Sequence, residues 1–202
     1  MARHTGPKIK ASRRFGEALT PKAEKYLARR PYRPGQHGQN PMRSSEYGLQ
    51  LREKQKAKAI YGIMEKQFRL YYQKASKKVG VTGSVLLQML EMRMDNIVFR
   101  LGFATTRAQA RQLVSHAFFE VNGKKMNIPS YAIRVGDQIK VRESKKKSKY
   151  MLVRGEQMAK YNAPEWLQLD AQGMAAKALS VPSPEQLDLK INTQLIVEHY
   201  SR

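Results

Sequence analysis

The chain has 202 residues, 41% of them hydrophobic, no cysteine, and 38 Lys+Arg against 16 Asp+Glu, a formal net charge of +22. So much self-repulsion over so modest an apolar inventory argues against one large enzyme core and for a polyanionic partner, nucleic acid ahead of an anionic membrane. Without cysteine there are no disulfides and no thiolate chemistry. No apolar run approaches membrane-spanning length, and the opening MARHTGPKIK lacks the apolar centre of a secretory signal, so a soluble protein of the cytoplasm or an organelle interior is expected.

Charge is spread unevenly: residues 1–42 carry a net +8, 43–100 carry +7, 101–155 carry +9, and 156–202 carry −2. The binding surface should therefore be extended over three segments, with the acidic C-terminal stretch left for packing or for a partner. In the first segment Pro31, Pro34, Gly35, Gly38 and Pro41 oppose long regular structure. It reads as a basic extended arm, disordered alone and ordered by coupled folding on RNA. From Ser44 the pattern turns helical. One helix carries Tyr47, Leu51 and the run Arg52 to Lys58 and ends near Gly62. A second covers Met64 to Lys78, with Phe68, Tyr71 and Tyr72 read as core rather than as base-stacking platforms. A third covers Val85 to Arg93 with Leu86, Leu87 and Leu90 inward, and Asp95 to Leu101 forms a short fourth.

Thr105 to Lys125 carries the densest signal. Thr106 with Gln109 three residues on fits a capping box, so a helix should begin at about Arg107. Ala110, Leu113, Val114 and Ala117 form its apolar stripe; Arg107 and Arg111 share one edge, with Gln112 and His116 around the polar side. Phe118 to Val121 turns extended, and Asn122-Gly123 predicts a type I′ hairpin followed by Lys124 and Lys125. Arginines and lysines held on rigid elements suit phosphates spaced along a folded backbone. Beyond the hairpin, Pro129 and Gly136-Asp137 punctuate two short extended pieces that end in Gln138 to Arg142, and Ser144 to Lys149 reads as a solvated linker. The late motifs PEWLQLD, with the single tryptophan Trp166, and NTQLIVEHY are expected to dock on the helices of residues 44–90. The fold class is α+β: a basic arm over 1–42, a helical domain of 43–92 with 156–202, and an inserted small α/β module over 93–155, helices followed by a short twisted sheet.

These residues resemble the bacterial small-subunit ribosomal protein S-four family almost end to end. The likeness begins with Met1-Ala2-Arg3, Gly6-Pro7-Lys8 and Ser12-Arg13-Arg14, and continues through Pro34-Gly35-Gln36-His37-Gly38 and Tyr47 to Lys56 (YGLQLREKQK). It goes on with Tyr61-Gly62, Glu65 to Arg69, Arg93-Met94-Asp95-Asn96, the Thr105 to Lys125 unit and the closing LIVEHYSR. So many motifs in order are specific where one would be weak.

The resemblance implies a non-enzymatic constituent of the small ribosomal subunit, a primary binder of a helix junction in the 5′ domain of small-subunit ribosomal RNA that nucleates assembly. It also implies neighbouring small-subunit proteins, the S-five protein above all, and messenger RNA at the side where messenger enters, with an effect on translational accuracy. No membrane and no homo-oligomer are expected, and the place of work is the ribosome, in the cytoplasm or an organelle. The residues expected to contact RNA are Arg3, Lys8, Lys10, Arg13, Arg14, Gln36 and His37 in the arm. In the helices they are Tyr47, Gln50, Arg52, Lys54, Gln55 and Arg69, and in the module Arg107, Arg111, Gln112, His116, Asn122, Lys124 and Lys125. Reversing Arg107 and Arg111 to Glu is expected to weaken RNA binding and leave the fold intact. Many relatives hold a cysteine-based zinc knuckle in the arm. His4 and His37 alone cannot replace one, so no metal and no cofactor are expected. The loop Gln39-Asn40-Pro41-Met42 is less basic than in many relatives, with only Arg43 keeping a positive charge, which bears on messenger handling.

Two other readings share the module. In pseudouridine synthases it accompanies a catalytic domain, and Arg93-Met94-Asp95 resembles the tripeptide around their aspartate. Here the tripeptide precedes the module and only 47 residues follow residue 155, too few for such a domain, so Asp95 is expected in an ion pair or at a helix end. Stress factors of heat-shock or ribosome-rescue type are little more than the module and a tail, which the long helical part and arm exceed.

Overall fold

The computed structural model describes residues 5–40, 43–158, 161–187 and 191–202. The chain divides into two compact units, Met1–Leu86 with Leu189–Arg202, and Leu87–Asp188.

The first unit opens with α1 (Lys8–Phe15), closed by Gly16 in the left-handed region (φ 76°), and α2 (Pro21–Arg29), which starts on a proline. The arm is therefore not extended over its length. The five breakers that oppose regular structure all fall at or after Pro31, whereas Pro7 and Pro21 sit where proline starts a helix. Each short helix is held by a small buried contact, Ser12 and Phe15 from α1 and Ala23 from α2. Arg13 then ties down the Pro/Gly-rich loop, donating from Nε to the Tyr32 carbonyl (3.1 Å) and from Nη2 to the Arg33 carbonyl (3.2 Å) while its guanidinium lies over the Tyr32 ring. Next come α3 (Glu46–Tyr61), whose cap Ser45 accepts from the Gly48 N–H and whose end is the left-handed Gly62, and α4 (Glu65–Ala75). Phe68 and Tyr71 are buried core, as expected. α5 (Thr82–Glu91) and α10 (Thr193–Ser201) approach closely at Gly83, where a Cβ would stand 2.6 Å from the Thr193 Cβ. NTQLIVEHY thus docks as expected: Tyr200 stacks on Tyr72 at 4.7 Å, and Gln50 of α3 donates to Glu198 of α10 (3.2 Å).

In the second unit, α6 (Met94–Arg100) and α7 (Arg107–Ser115) share one core with a five-stranded antiparallel sheet of order β2-β1-β3-β5-β4. The strands are β1 (Phe119–Val121), β2 (Lys124–Met126), β3 (Gln138–Val141), β4 (Leu167–Asp170) and β5 (Ala175–Ala178). Register pairs Phe119 with Val141, Val121 with Ile139 and Ile139 with Ala176, which brings one apolar face together under Ile97, Leu101, Leu113 and Val114. The capping box forms with one change. Thr106 Oγ1 accepts from the Gln109 N–H (3.2 Å), but Gln109 Oε1 accepts from the Thr105 N–H (3.0 Å) and hydroxyl (2.8 Å), one residue earlier than the ideal box. α7 ends in a Schellman closure, with Phe118 N–H to Leu113 O and Ala117 N–H to Val114 O, which puts Ala117 at φ 54°. Asn122 (φ 49°) and Gly123 (φ 75°) make the expected two-residue turn between β1 and β2.

Two expectations are corrected. Trp166 and PEWLQLD do not dock on the helices of residues 44–90: Trp166 is buried in the core of the sheet unit, and β4 and β5 complete its sheet, so this unit extends well past residue 155. Ser144 to Lys149 is not a linker but α8 (Glu143–Lys146) and the start of α9 (Lys149–Met158), which is fastened by the Tyr150 hydroxyl to the Phe103 carbonyl (2.7 Å) and by Arg154 Nε to the Gly102 carbonyl. Gly102 (φ +79°) is needed twice over, since a Cβ there would also meet the Tyr161 ring.

Candidate nucleic-acid interface

In the first unit a cleft of about 670 Å³ runs between α1, the Arg33-Pro34-Gly35 loop and the start of α3. Lys10, Arg14, Arg33, Arg43 and Arg52 line it together with Phe15, Ser44, Ser45 and Gln55, and among the described residues no carboxylate does. Arg52 is fixed by its Nη2 donating to the Phe15 carbonyl (3.0 Å), while Lys10, Arg14 and Arg43 are exposed. Five cations around an open, carboxylate-free hollow suit a phosphate backbone making a sharp turn. Among the expected contacts, Lys10, Arg14, Arg52 and Gln55 meet here. Arg33 and Arg43 belong with them but are not among the expected RNA contacts, Arg43 being marked only for messenger handling; both are isolated charges in loops without periodicity. Lys8, Gln36, His37 and Arg69 are exposed but line no part of this cleft, and Arg3 lies outside the described residues. Arg13 holds the loop rather than facing the cleft.

Gln50 and Lys54 are corrected as RNA contacts. Both are buried on the side of α3 that meets α10: Gln50 Nε2 donates to Glu46 and Glu198, and Lys54 Nζ donates to Glu65 Oε1 (3.1 Å). Tyr47 stays half-exposed with its ring against His199 at 5.4 Å. Glu65 is the hub of this contact, accepting also from Lys58 (2.6 Å) and the Tyr200 hydroxyl (2.7 Å). Burial pushes the Glu65 carboxyl up, but hydrogen bonds from Lys58, Tyr200 and Lys54 outweigh it and bring it to about 2 from 4.5. Burial, then Lys54, holds His199 below its ordinary 6.5; its buried Nδ1 has no hydrogen-bond partner among the described residues. Both shifts favour the docked helix above the unfolded values. The His199 contribution is present above pH 6.5 and lost as pH falls through its lower folded value; that of Glu65 is lost between 4.5 and about 2. Acidification is therefore expected to loosen α10 in two steps, read by amide exchange of residues 193–201 corrected for intrinsic rate. Protection that stays flat from neutral pH to pH 3 would remove both groups from the account.

In the second unit the arginine edge of α7 is not a row of free charges. Arg111 Nη1 donates to Asp95 Oδ2 (3.0 Å), and Asp95 also receives Arg93 from both Nε (3.0 Å) and Nη2 (2.8 Å). Arg107 Nε donates to Asn96 Oδ1 (2.7 Å), its guanidinium lies over the Phe99 ring, and its Nη2 is 4.0 Å from Glu91. Glu91 takes Arg100 in a two-point pair (2.9 and 3.0 Å) and the Asn96 amide (2.6 Å). Two buried carboxylates thus organise four arginines, leaving a cluster of net positive charge with Arg107 and Arg111 at its part-exposed edge. Asp95 is the ion-pair residue expected of it. The Arg107→Glu, Arg111→Glu variant, expected from sequence to stay folded, is corrected: it would set four carboxylates together and break the unit from within. Gln112, His116, Lys124 and Lys125 are exposed. Asn122 spends its side chain on the fold, donating to Asp137 (2.8 Å) and accepting from the Gln138 N–H (2.9 Å).

Among the described residues no group of three or more His, Asp or Glu comes together as a metal set, and no helix is long and apolar enough to cross a membrane. Comparison with known proteins adds a lineage. The model of the family described as "Ribosomal protein S4/S9 N-terminal domain" matches residues 3–91, and that of the "S4 domain" matches residues 92–139. The chain is 52% identical to the small ribosomal subunit protein uS4 of Roseiflexus castenholzii and 51% identical to those of Acetivibrio thermocellus and Chlorobaculum parvum, each over the full length of both chains.

Proposed function

The chain belongs to the uS4 family of small ribosomal subunit proteins, and on that premise we propose that it is a primary binder of small-subunit ribosomal RNA that grips a helix junction of the 5′ domain and nucleates assembly there. Its role is structural rather than enzymatic, within the ribosome, and its second unit carries the RNA-binding module of the family. The observation that carries the proposal is the carboxylate-free cleft of Lys10, Arg14, Arg33, Arg43 and Arg52. A junction is read by shape and phosphate position, and this hollow offers cations on fixed elements with no aromatic sheet for reading bases. Asp95, the residue closest in sequence context to a synthase aspartate, is fully engaged by Arg93 and Arg111, as a structural ion pair requires. On the same reading the chain works in the ribosome of the cytoplasm as a single copy, beside the S-five protein and near the side where messenger RNA enters, with an effect on translational accuracy.

The test is affinity for the 5′ domain of small-subunit ribosomal RNA against an unrelated structured RNA of equal length at physiological salt. A preference of about a hundredfold or more is expected, with affinity falling by roughly 10³ to 10⁵ between 50 and 200 mM salt if six to ten phosphates are neutralised. Equal affinity for both RNAs would reduce the contact to charge alone.

A further inference from the structure

We infer that the outer face of α4 and the turn from α4 to α5 form a second RNA-contact surface, one that presses an aliphatic knuckle against the sugar faces of a double-helical minor groove. The inference rests on the RNA-binding reading above and adds a site to it. Val79 is 102% exposed and Val81 72%, on either side of Gly80. Turns in water ordinarily take Asn, Asp or Ser at such places; two β-branched side chains this far out in solvent, Val79 wholly and Val81 mostly, bury little apolar surface for this fold. The tip is built rather than slack. Lys78 N–H closes onto the Ala75 carbonyl (3.1 Å), Val85 N–H closes onto the Val81 carbonyl (3.0 Å), and Gly80 at φ +117° makes a bend that a valine would resist.

The setting selects the partner. From residue 66 to residue 90 there is no Asp or Glu, while Lys66, Arg69, Lys74, Lys77 and Lys78 are all exposed. None of the five makes an ion pair or a side-chain hydrogen bond among the described residues, although Lys54, Lys56 and Lys58 of the preceding helix are each paired with glutamates. A ridge of uncompensated cations ending in a small apolar tip fits A-form RNA. Its minor groove is wide and shallow and shows ribose faces and 2′-hydroxyls, with phosphate rails on both sides for Lys77 and Lys78. The cleft around Phe15 has the opposite shape, concave and cationic, so the unit offers RNA a hollow and a projection.

Because the chain has no cysteine, Val79→Cys supplies a single thiol for an iron–EDTA tether on the full-length protein. Bound to the 5′-domain RNA, the tether is expected to cut one or two short double-helical tracts, with cuts offset across the minor groove. Val79→Ser with Val81→Ser should weaken binding about tenfold without changing the slope of log affinity against log salt, since aliphatic contacts release no counterions. Lys77→Gln with Lys78→Gln should lower that slope by roughly 1.5 to 2. No cleavage from position 79 while a Ser44→Cys tether in the cleft does cut would overturn the inference and leave the RNA reading standing. If the thiol of the Val79→Cys variant stays open to maleimide in the RNA complex but is covered in assembled subunits, the knuckle belongs to a neighbouring protein, which again overturns the inference. Absence of any preference for the 5′-domain RNA by the unmodified chain would remove the RNA reading itself, and this surface with it.

Discussion

Glu91→Gln is expected to destabilise the sheet-bearing unit by about 3–5 kcal/mol, the cost of removing one partner from a buried charge cluster. The Glu91 side chain is fully buried, and its two oxygens accept from both nitrogens of Arg100 and from the Asn96 amide. Glutamine keeps the shape, but turns one acceptor into a donor facing donors and leaves the arginines of the cluster with only Asp95. Against a total stability of roughly 5–15 kcal/mol for a domain, this is between about a fifth and the whole of the reserve. In a unit of this size the thermal midpoint should fall by on the order of 15 °C or more. The effect should be sub-additive with Arg100→Met, because the second change removes a cation that the first has stranded. A midpoint within about 2 °C of the parent, well inside that expected fall, would mean that water or a neighbouring group replaces the carboxylate. A consequence for the proposed binding follows: Arg107 and Arg111 are already oriented by Asn96 and Asp95, so contact with RNA would leave little side-chain entropy to lose.

Sequence legibility follows the range of the interactions involved. α7 and the Asn122-Gly123 hairpin are readable to the residue because a cap, an apolar stripe and two positive φ angles all lie within a few positions. β4 and β5 are not. Ala175–Ala178 has no β-branched or aromatic side chain, and it is a strand because Ala176 and Ala178 fit under a core assembled from distant segments. α1 and α2 escape a reading that counts prolines, since the position of a proline at a helix start is as informative as its presence. At the interface the exposed lysines and arginines are legible, but their partners are not. Arg111 is answered by Asp95, 16 residues upstream, and Gln50 by Glu198, 148 residues downstream; no local periodicity announces either. That is why Gln50 and Lys54, polar residues on a helix polar nearly all round, look like RNA contacts in the sequence when they belong to the seam with α10.

Neutralising the exposed cations of the cleft is expected to have the largest effect on binding. Lys10→Gln, Arg14→Gln and Arg43→Gln together should lower affinity for 5′-domain RNA by about 10³-fold at physiological salt, taking roughly 1.5 kcal/mol for each charge-assisted contact. They should also lower the slope of log affinity against log salt by about two to three. The fold should be untouched, because all three side chains are exposed and none makes an ion pair or a side-chain hydrogen bond among the described residues. Arg13 and Arg52 provide the contrast. One holds the Tyr32-Arg33 backbone and the other the Phe15 carbonyl, so their loss should lower stability as well as affinity. The two sets of cations therefore part in a single pair of measurements, denaturation midpoint and salt slope. If the triple variant kept the parent slope, the cleft would not be neutralising phosphates, and the grip on RNA would have to be sought on the arginine edge of α7 and the lysines of β2.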